Sequence, residues 1–183
     1  MKKKKTVFIL LLLFIVLLQI GIIMFFGFKY FNKNTIELYD DNAGLKALFR
    51  FNKDYKYILT SVDNINGKYS EIHVKNEDLN IDFDAYFSET SKEEYYDTKE
   101  SRKERRIFRE YKFGNYDAYL YANDIYDAYL TILLNDSYSI TINIGRLDET
   151  KEFDLEKILE AKEFIDFFKS IKVYRKRTIK IGT

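Results

Sequence analysis

Few side chains in this 183-residue sequence have the chemistry of a catalyst. Its one histidine, His73, sits between Ile72 and Val74 in a strand-like run, and no Gly-x-Ser-x-Gly elbow supplies a nucleophile for it. It reads as a structural or exposed histidine. Asp82 and Asp84, with Asn80, share one face of an expected strand. They are the best candidates for paired carboxylates or for oxygen ligands of Ca²⁺. Acids on a wet sheet face are the more ordinary reading, and no calcium-loop spacing surrounds Asn66-Gly67. With no cysteine, disulfides, thiolate metal sites and cysteine nucleophiles are excluded, and a single histidine excludes a multi-histidine metal centre. The seven glycines form no phosphate loop. The chain is therefore expected to use no cofactor or metal and not to be an enzyme.

Binding has better candidates. Sixteen residues are tyrosine, and the string YDAYL occurs at Tyr116 to Leu120 and again at Tyr126 to Leu130. A hairpin closed by Asn123, Asp124 and Ile125 would set Leu120 opposite Ala128, Ala118 opposite Leu130, and Tyr119 opposite Tyr129. An even loop would mix the two faces, which a period of two penalises. Tyr119, Tyr129 and Tyr121 then share the face away from Ala and Leu. Such a platform can stack a sugar or anchor a protein partner. A second candidate is the basic end, where Lys172, Arg175, Lys176, Arg177 and Lys180 can meet anionic head groups or an anionic polymer.

These residues need elements to position them, and the dominant period after Leu48 is two. Leu48 to Phe51, Tyr55 to Val62, Lys68 to Val74, Leu79 to Phe87 and Ile107 to Phe113 read as strands, with a turn at Asn66-Gly67. Tyr116 to Leu120, Tyr126 to Leu134 and Tyr138 to Ile144 complete a meander. Ser88 to Arg106 breaks the alternation. Ser91 with Glu94 makes a capping box there, so a solvent-facing helix is expected ahead of the alternative, a mobile excursion. Asp154 is a good N-cap for one closing helix, whose stripe is Leu155, Ile158, Leu159, Ala161, Phe164, Ile165, Phe168 and Ile171. Ile171 to Tyr174 adds a last strand. The fold class is α+β, a largely antiparallel sheet packed by a C-terminal amphipathic helix.

The amino end has a different logic. Lys2 to Lys5 precede Val7 to Phe28, which carries no charge and only Gln19 as a strongly polar residue. As a helix this run spans roughly 33 Å, enough for a hydrocarbon core of about 30 Å. It exceeds the core of a cleavable signal, and no Ala or Ser lies between Val7 and Asn42 to make a small-x-small cleavage site. An uncleaved anchor is expected, with the bilayer as its partner. The lysines keep the N-terminus cytoplasmic, which places the rest of the chain outside. The organisation is then residues 1–6 cytoplasmic, 7–28 transmembrane, 29–44 a juxtamembrane tether, 45–174 an extracytoplasmic domain, and 175–183 a basic tail.

From Asn34 onward there are 24 bases and 29 acids, a net of −5. From Asn34 to Phe168 there are 18 bases and 29 acids, a net of −11. An acidic body disfavours nucleic acid. Abundant Lys, Ile, Asn, Tyr and Phe without Pro or Trp is the bias of an AT-rich genome, which points to a bacterium.

Three stretches resemble the Mog1/PsbP-like α/β/α sandwich domains: Phe49-Arg50-Phe51-Asn52-Lys53-Asp54-Tyr55 as an opening strand and turn, two hairpins around a charged middle segment, and Phe164 to Val173 as a closing helix running into a strand. The likeness spans Leu48 to Tyr174 and lacks the Pro and Trp of the opening turn. It implies an accessory scaffold and no reaction. The sequence thus reads as a single-pass membrane protein of the bacterial envelope whose outer domain binds an envelope protein or an anionic polymer. The alternatives are an envelope hydrolase using Asp82 and Asp84, and a small membrane regulator of immunity type.

Overall fold

The computed structural model describes residues 17–19, 33–65 and 69–175. The chain divides into two units, Met1–Asn34 and Thr35–Thr183. In the first, Leu17, Leu18 and Gln19 are helical, and the rest of the expected span at 7–28 lies outside the described residues. Among the described residues no helix is long and apolar enough to cross a membrane. The Asn66-Gly67 turn and the tail beyond Arg175 also lie outside them.

The second unit is α+β. Strands β1 (Lys33–Asp40), β2 (Leu45–Asn52) and β10 (Lys172–Arg175) form a small sheet in the order β1-β2-β10. A larger sheet of seven strands has the order β3-β4-β5-β9-β8-β7-β6. Its strands are β3 (Tyr57–Ile65), β4 (Tyr69–Asn76), β5 (Ile81–Glu89), β6 (Ile107–Phe113), β7 (Tyr116–Ala122), β8 (Ala128–Leu133) and β9 (Tyr138–Arg146). β2 and β10 pair antiparallel, as does every neighbouring pair of the large sheet. Two meanders, β3-β4-β5 and β6-β7-β8-β9, therefore meet where β5 pairs with β9 from Ile81↔Arg146 to Glu89↔Tyr138. Helix α1 (Lys92–Arg102) carries the chain between them.

Half of the stretch expected as a tether is strand. Ile36 and Leu38 of β1 alternate with exposed Tyr39 and half-buried Glu37 and are buried in the core. Asp40 ends the strand by accepting 2.9 Å hydrogen bonds from the backbone N–H of Asn42 and Ala43, and Gly44 supplies the positive φ of 62° that turns the chain into β2. A tether has no reason to bury two aliphatic side chains; a strand of period two does.

One face of the large sheet is apolar. Ile81, Phe83, Ala85 and Phe87 of β5 are buried, as are Ile140, Ile142 and Ile144 of β9 and Leu120 of β7. The small sheet and the closing helices supply the other wall. Phe167 is the hub, with its ring 5.2 Å from Phe49 at 4°, 4.1 Å from Tyr57 and 5.5 Å from Phe83. Phe168 lies 6.0 Å from Phe113. Each such ring contributes about 1.5–3 kcal/mol by burial.

The closing helix is two helices, α2 (Leu155–Glu160) and α3 (Lys162–Lys169). Asp154 caps α2, accepting from Lys157 N–H at 3.1 Å. Ala161 is extended, with φ −62° and ψ 131°. The break has a geometric cause. At 3.6 residues per turn an unbroken helix would place Phe164, Phe167 and Phe168 roughly half a turn from Leu155, Ile158 and Leu159. One kinked residue lets both sets face the core. Phe167, fully buried, was absent from the expected stripe for the same reason.

Candidate functional site

The opposite face of the large sheet is where the candidate residues gather. Ladder registers place Phe108, Tyr121, Tyr129, Asn143, Asp84, His73 and Ser61 opposite one another in turn, from β6 across to β3. This single row changes from aromatic to polar as it crosses the sheet. Helix α1 covers the aromatic end. Ser91 caps it, accepting from Glu94 N–H at 3.1 Å, and its first turn is acidic while Lys99 and Arg102 sit in its last.

Tyr95 is the one buried residue of α1. It packs 5.1 Å from Tyr119, which is itself buried, and burial pushes both phenols above their ordinary pKa. Tyr119 thus serves the packing of α1. Tyr121 and Tyr129 are half-buried and stack at 5.2 Å and 18°, and Tyr119 continues the stack at 6.2 Å.

The hairpin that presents them differs from the expected register by two residues. Leu120 opposes Leu130, Ala118 opposes Ile132, Tyr119 opposes Thr131 and Tyr121 opposes Tyr129. The loop is residues 123–127, five rather than three, because the Asp124 carboxylate accepts from the N–H groups of Tyr126 and Asp127 at 2.8 and 3.1 Å. Both lengths are odd, so the faces agree and only the partners change.

At the polar end His73 is held from both sides. Its Nδ1 lies 2.5 Å from Asp84 Oδ1 and its Nε2 lies 2.9 Å from Asp63 Oδ2. Partial burial works against the charged ring, but hydrogen bonds to Asp84 and then Asp63 outweigh it, and the pKa is raised. Asp63 reaches the ring because β3 shifts register between Leu59 and Ser61, a bulge no sequence pattern marked.

Asp82 lies beside Asp84 on the same face. Burial, then the charge of Asp84, raises its pKa. A recess of about 380 Å³ is lined by Asp82, Asp84, Asp127, Tyr129, Asn143 and Arg146. At its floor, a Cβ on Gly145 would stand 3.1 Å from Asp82 Oδ1 and 3.7 Å from Asp127 Oδ1. The glycine makes room for the two carboxylates.

Asn80 is not part of this face. It precedes β5 with φ 52°, buried, and its amide donates to the carbonyls of Asp148 and Glu152 and accepts from Asp148 N–H. It is a latch for the loop after β9, so the trio expected with Asp82 and Asp84 does not form. Among the described residues no group of three or more acidic or histidine side chains is arranged to hold a metal ion. Of the basic end, Lys172 and Arg175 are exposed on β10, while Lys176, Arg177 and Lys180 lie outside the described residues. Comparison with protein-family models, curated proteins and solved structures finds no match to this chain. The resemblance noted for residues 48–174 therefore carries no function to it.

Proposed function

We propose that this chain is a single-pass, membrane-anchored protein of the bacterial envelope whose extracytoplasmic α+β domain is a binding module and not an enzyme. The observation that carries the binding reading is the half-covered outer face. Helix α1 shields the Tyr119 end and lays Arg102 on Tyr121, while half-buried Tyr129, stacked on Tyr121, borders the recess at Gly145. Rigid aromatic side chains bordering a polar hollow can bind a partner at low entropic cost. The anchor reading rests on the uncharged run at 7–28 behind four lysines. Within it, helical Leu17 and Leu18 expose 60% and 53% of their surface, an arrangement suited to lipid.

Two measurements test it. A cysteine at exposed Asn115 should be labelled from outside intact cells and one at Lys3 should not; the reverse pattern would overturn the orientation. A photocrosslinking amino acid in place of Tyr129 should give a defined adduct in the native membrane, and one in place of Asn115 should not. Equal adducts at both positions, or none at either, would remove the tyrosine face as the binding site.

One observation favours a second reading, an envelope hydrolase. Burial, and then the charge of Asp84, raises the pKa of Asp82, and two neighbouring carboxylates in unlike surroundings are what acid–base hydrolysis uses. Asp82→Asn with Asp84→Asn should then abolish any hydrolysis of envelope polymers, and unchanged hydrolysis would dismiss the pair.

A further inference from the structure

We propose that the corner where α1 turns into β6 docks a flexible, phosphate-bearing polyanion through Arg102, Arg105, Arg106 and Arg109. This rests on the reading of the domain as a binding module and names the class of partner. From Arg102 to Arg109 there are five bases and one acid, Glu104, in a domain otherwise rich in acid. Lys103 is spent on Glu100 at 2.7 Å. Arg105 and Arg106 are exposed and make no ion pair among the described residues, although the charge of Arg106 reaches Asp124 and helps lower its pKa. Bases in the last turn of a helix are ordinarily explained by its dipole. That accounts for Lys99 and Arg102 but not for Arg105, Arg106 and Arg109, which lie beyond the helix.

Arg102 is fixed in place. Its guanidinium lies 4.8 Å from the centre of the Tyr121 ring, and its Nε is buried without a partner. A guanidinium held on an aromatic face has less freedom to lose when an anion arrives, and its fork matches a phosphate.

The choice of a flexible chain over a bilayer comes from the fold. Arg102 lies on the outer face, over Tyr121. Arg109 belongs to edge strand β6, opposite Leu120, and so stands on the other side of the sheet. A plane lying on either face of the sheet reaches only one of them, whereas a polymer can bend around the edge and reach both. The surrounding acids would direct such a polymer to this corner.

The test uses the full chain in non-ionic detergent micelles and end-labelled long-chain polyphosphate. Binding is expected, and Arg105→Gln/Arg106→Gln/Arg109→Gln should weaken it at least about tenfold and flatten its dependence on salt. Lys53→Gln/Lys157→Gln, at exposed bases outside the corner, should leave it unchanged, and Lys172→Gln/Arg175→Gln should weaken it less than the arginine variant does. Unaltered affinity in the arginine variant, or loss only in the Lys172/Arg175 variant, would overturn the proposal. So would a dye at Ser101→Cys that responds to phosphatidylglycerol in nanodiscs when polyphosphate does not bind, because the surface would then read a bilayer. Polyphosphate binding through these arginines alongside failure of the Tyr129 crosslink would keep this inference and remove the platform.

Discussion

His73 stands opposite Asp84 on adjacent strands, with Nδ1 2.5 Å from the carboxylate, while its second nitrogen faces Asp63 at 2.9 Å. Only the imidazolium can donate to both carboxylates at once. The ring ties β3 to β5 across β4. Its pKa is raised in the fold, so its stabilisation is complete below the ordinary value of about 6.5 and is lost as pH rises through the folded value.

Thermal melts of the wild-type chain should therefore drop by a few degrees between mildly acidic and mildly alkaline pH. His73→Gln should flatten that profile and lower the acid-side value only. Glu71, Lys75 and Asp82 also face this region from β4 and β5. An equally steep profile in the variant would show that His73 is not its source.

Phe167 touches both walls of the core, so its loss leaves a hole that neither sheet can close alone. Phe167→Ala should cost about 3–5 kcal/mol in urea unfolding, and Phe164→Leu much less. Similar costs for both would mean that the core relaxes around the gap.

Asn80 combines a left-handed backbone with three side-chain hydrogen bonds. Asn80→Ala removes all three and strains φ, for a loss of roughly 2–4 kcal/mol. Asn80→Gly restores the backbone freedom and should recover about 1 kcal/mol of it. Chemical denaturation of the two variants separates the terms; equal stabilities would leave no cost for the backbone.

The elements legible in the sequence were those whose cause is local. The alternation from Ile81 to Phe87, the Ser91 cap, the Asp154 cap and the strand at Ile107–Phe113 all follow from neighbours in the chain. What escaped depends on distant partners. β1 was hidden because its apolar half has meaning only beside β2. Tyr121, rather than Tyr119, meets Tyr129 because one carboxylate lengthens a loop. The clamp on His73 required the register of three strands and a bulge, none of which is written in the residues around it. The split of the last helix was legible in principle, since the angular positions of Phe164 and Phe168 already conflict with those of Leu155 and Leu159.

Within the large sheet, every neighbouring pair but one is joined by a link of five residues or fewer. The exception is β5 beside β9, and it makes the assembly order lopsided. Each half can zip up from its own turns, cheaply and early, but neither has a finished apolar surface until the seam closes. Cutting the backbone inside α1 would therefore separate two self-templating pieces, and the cohesion of the whole sheet would rest on one nine-residue ladder.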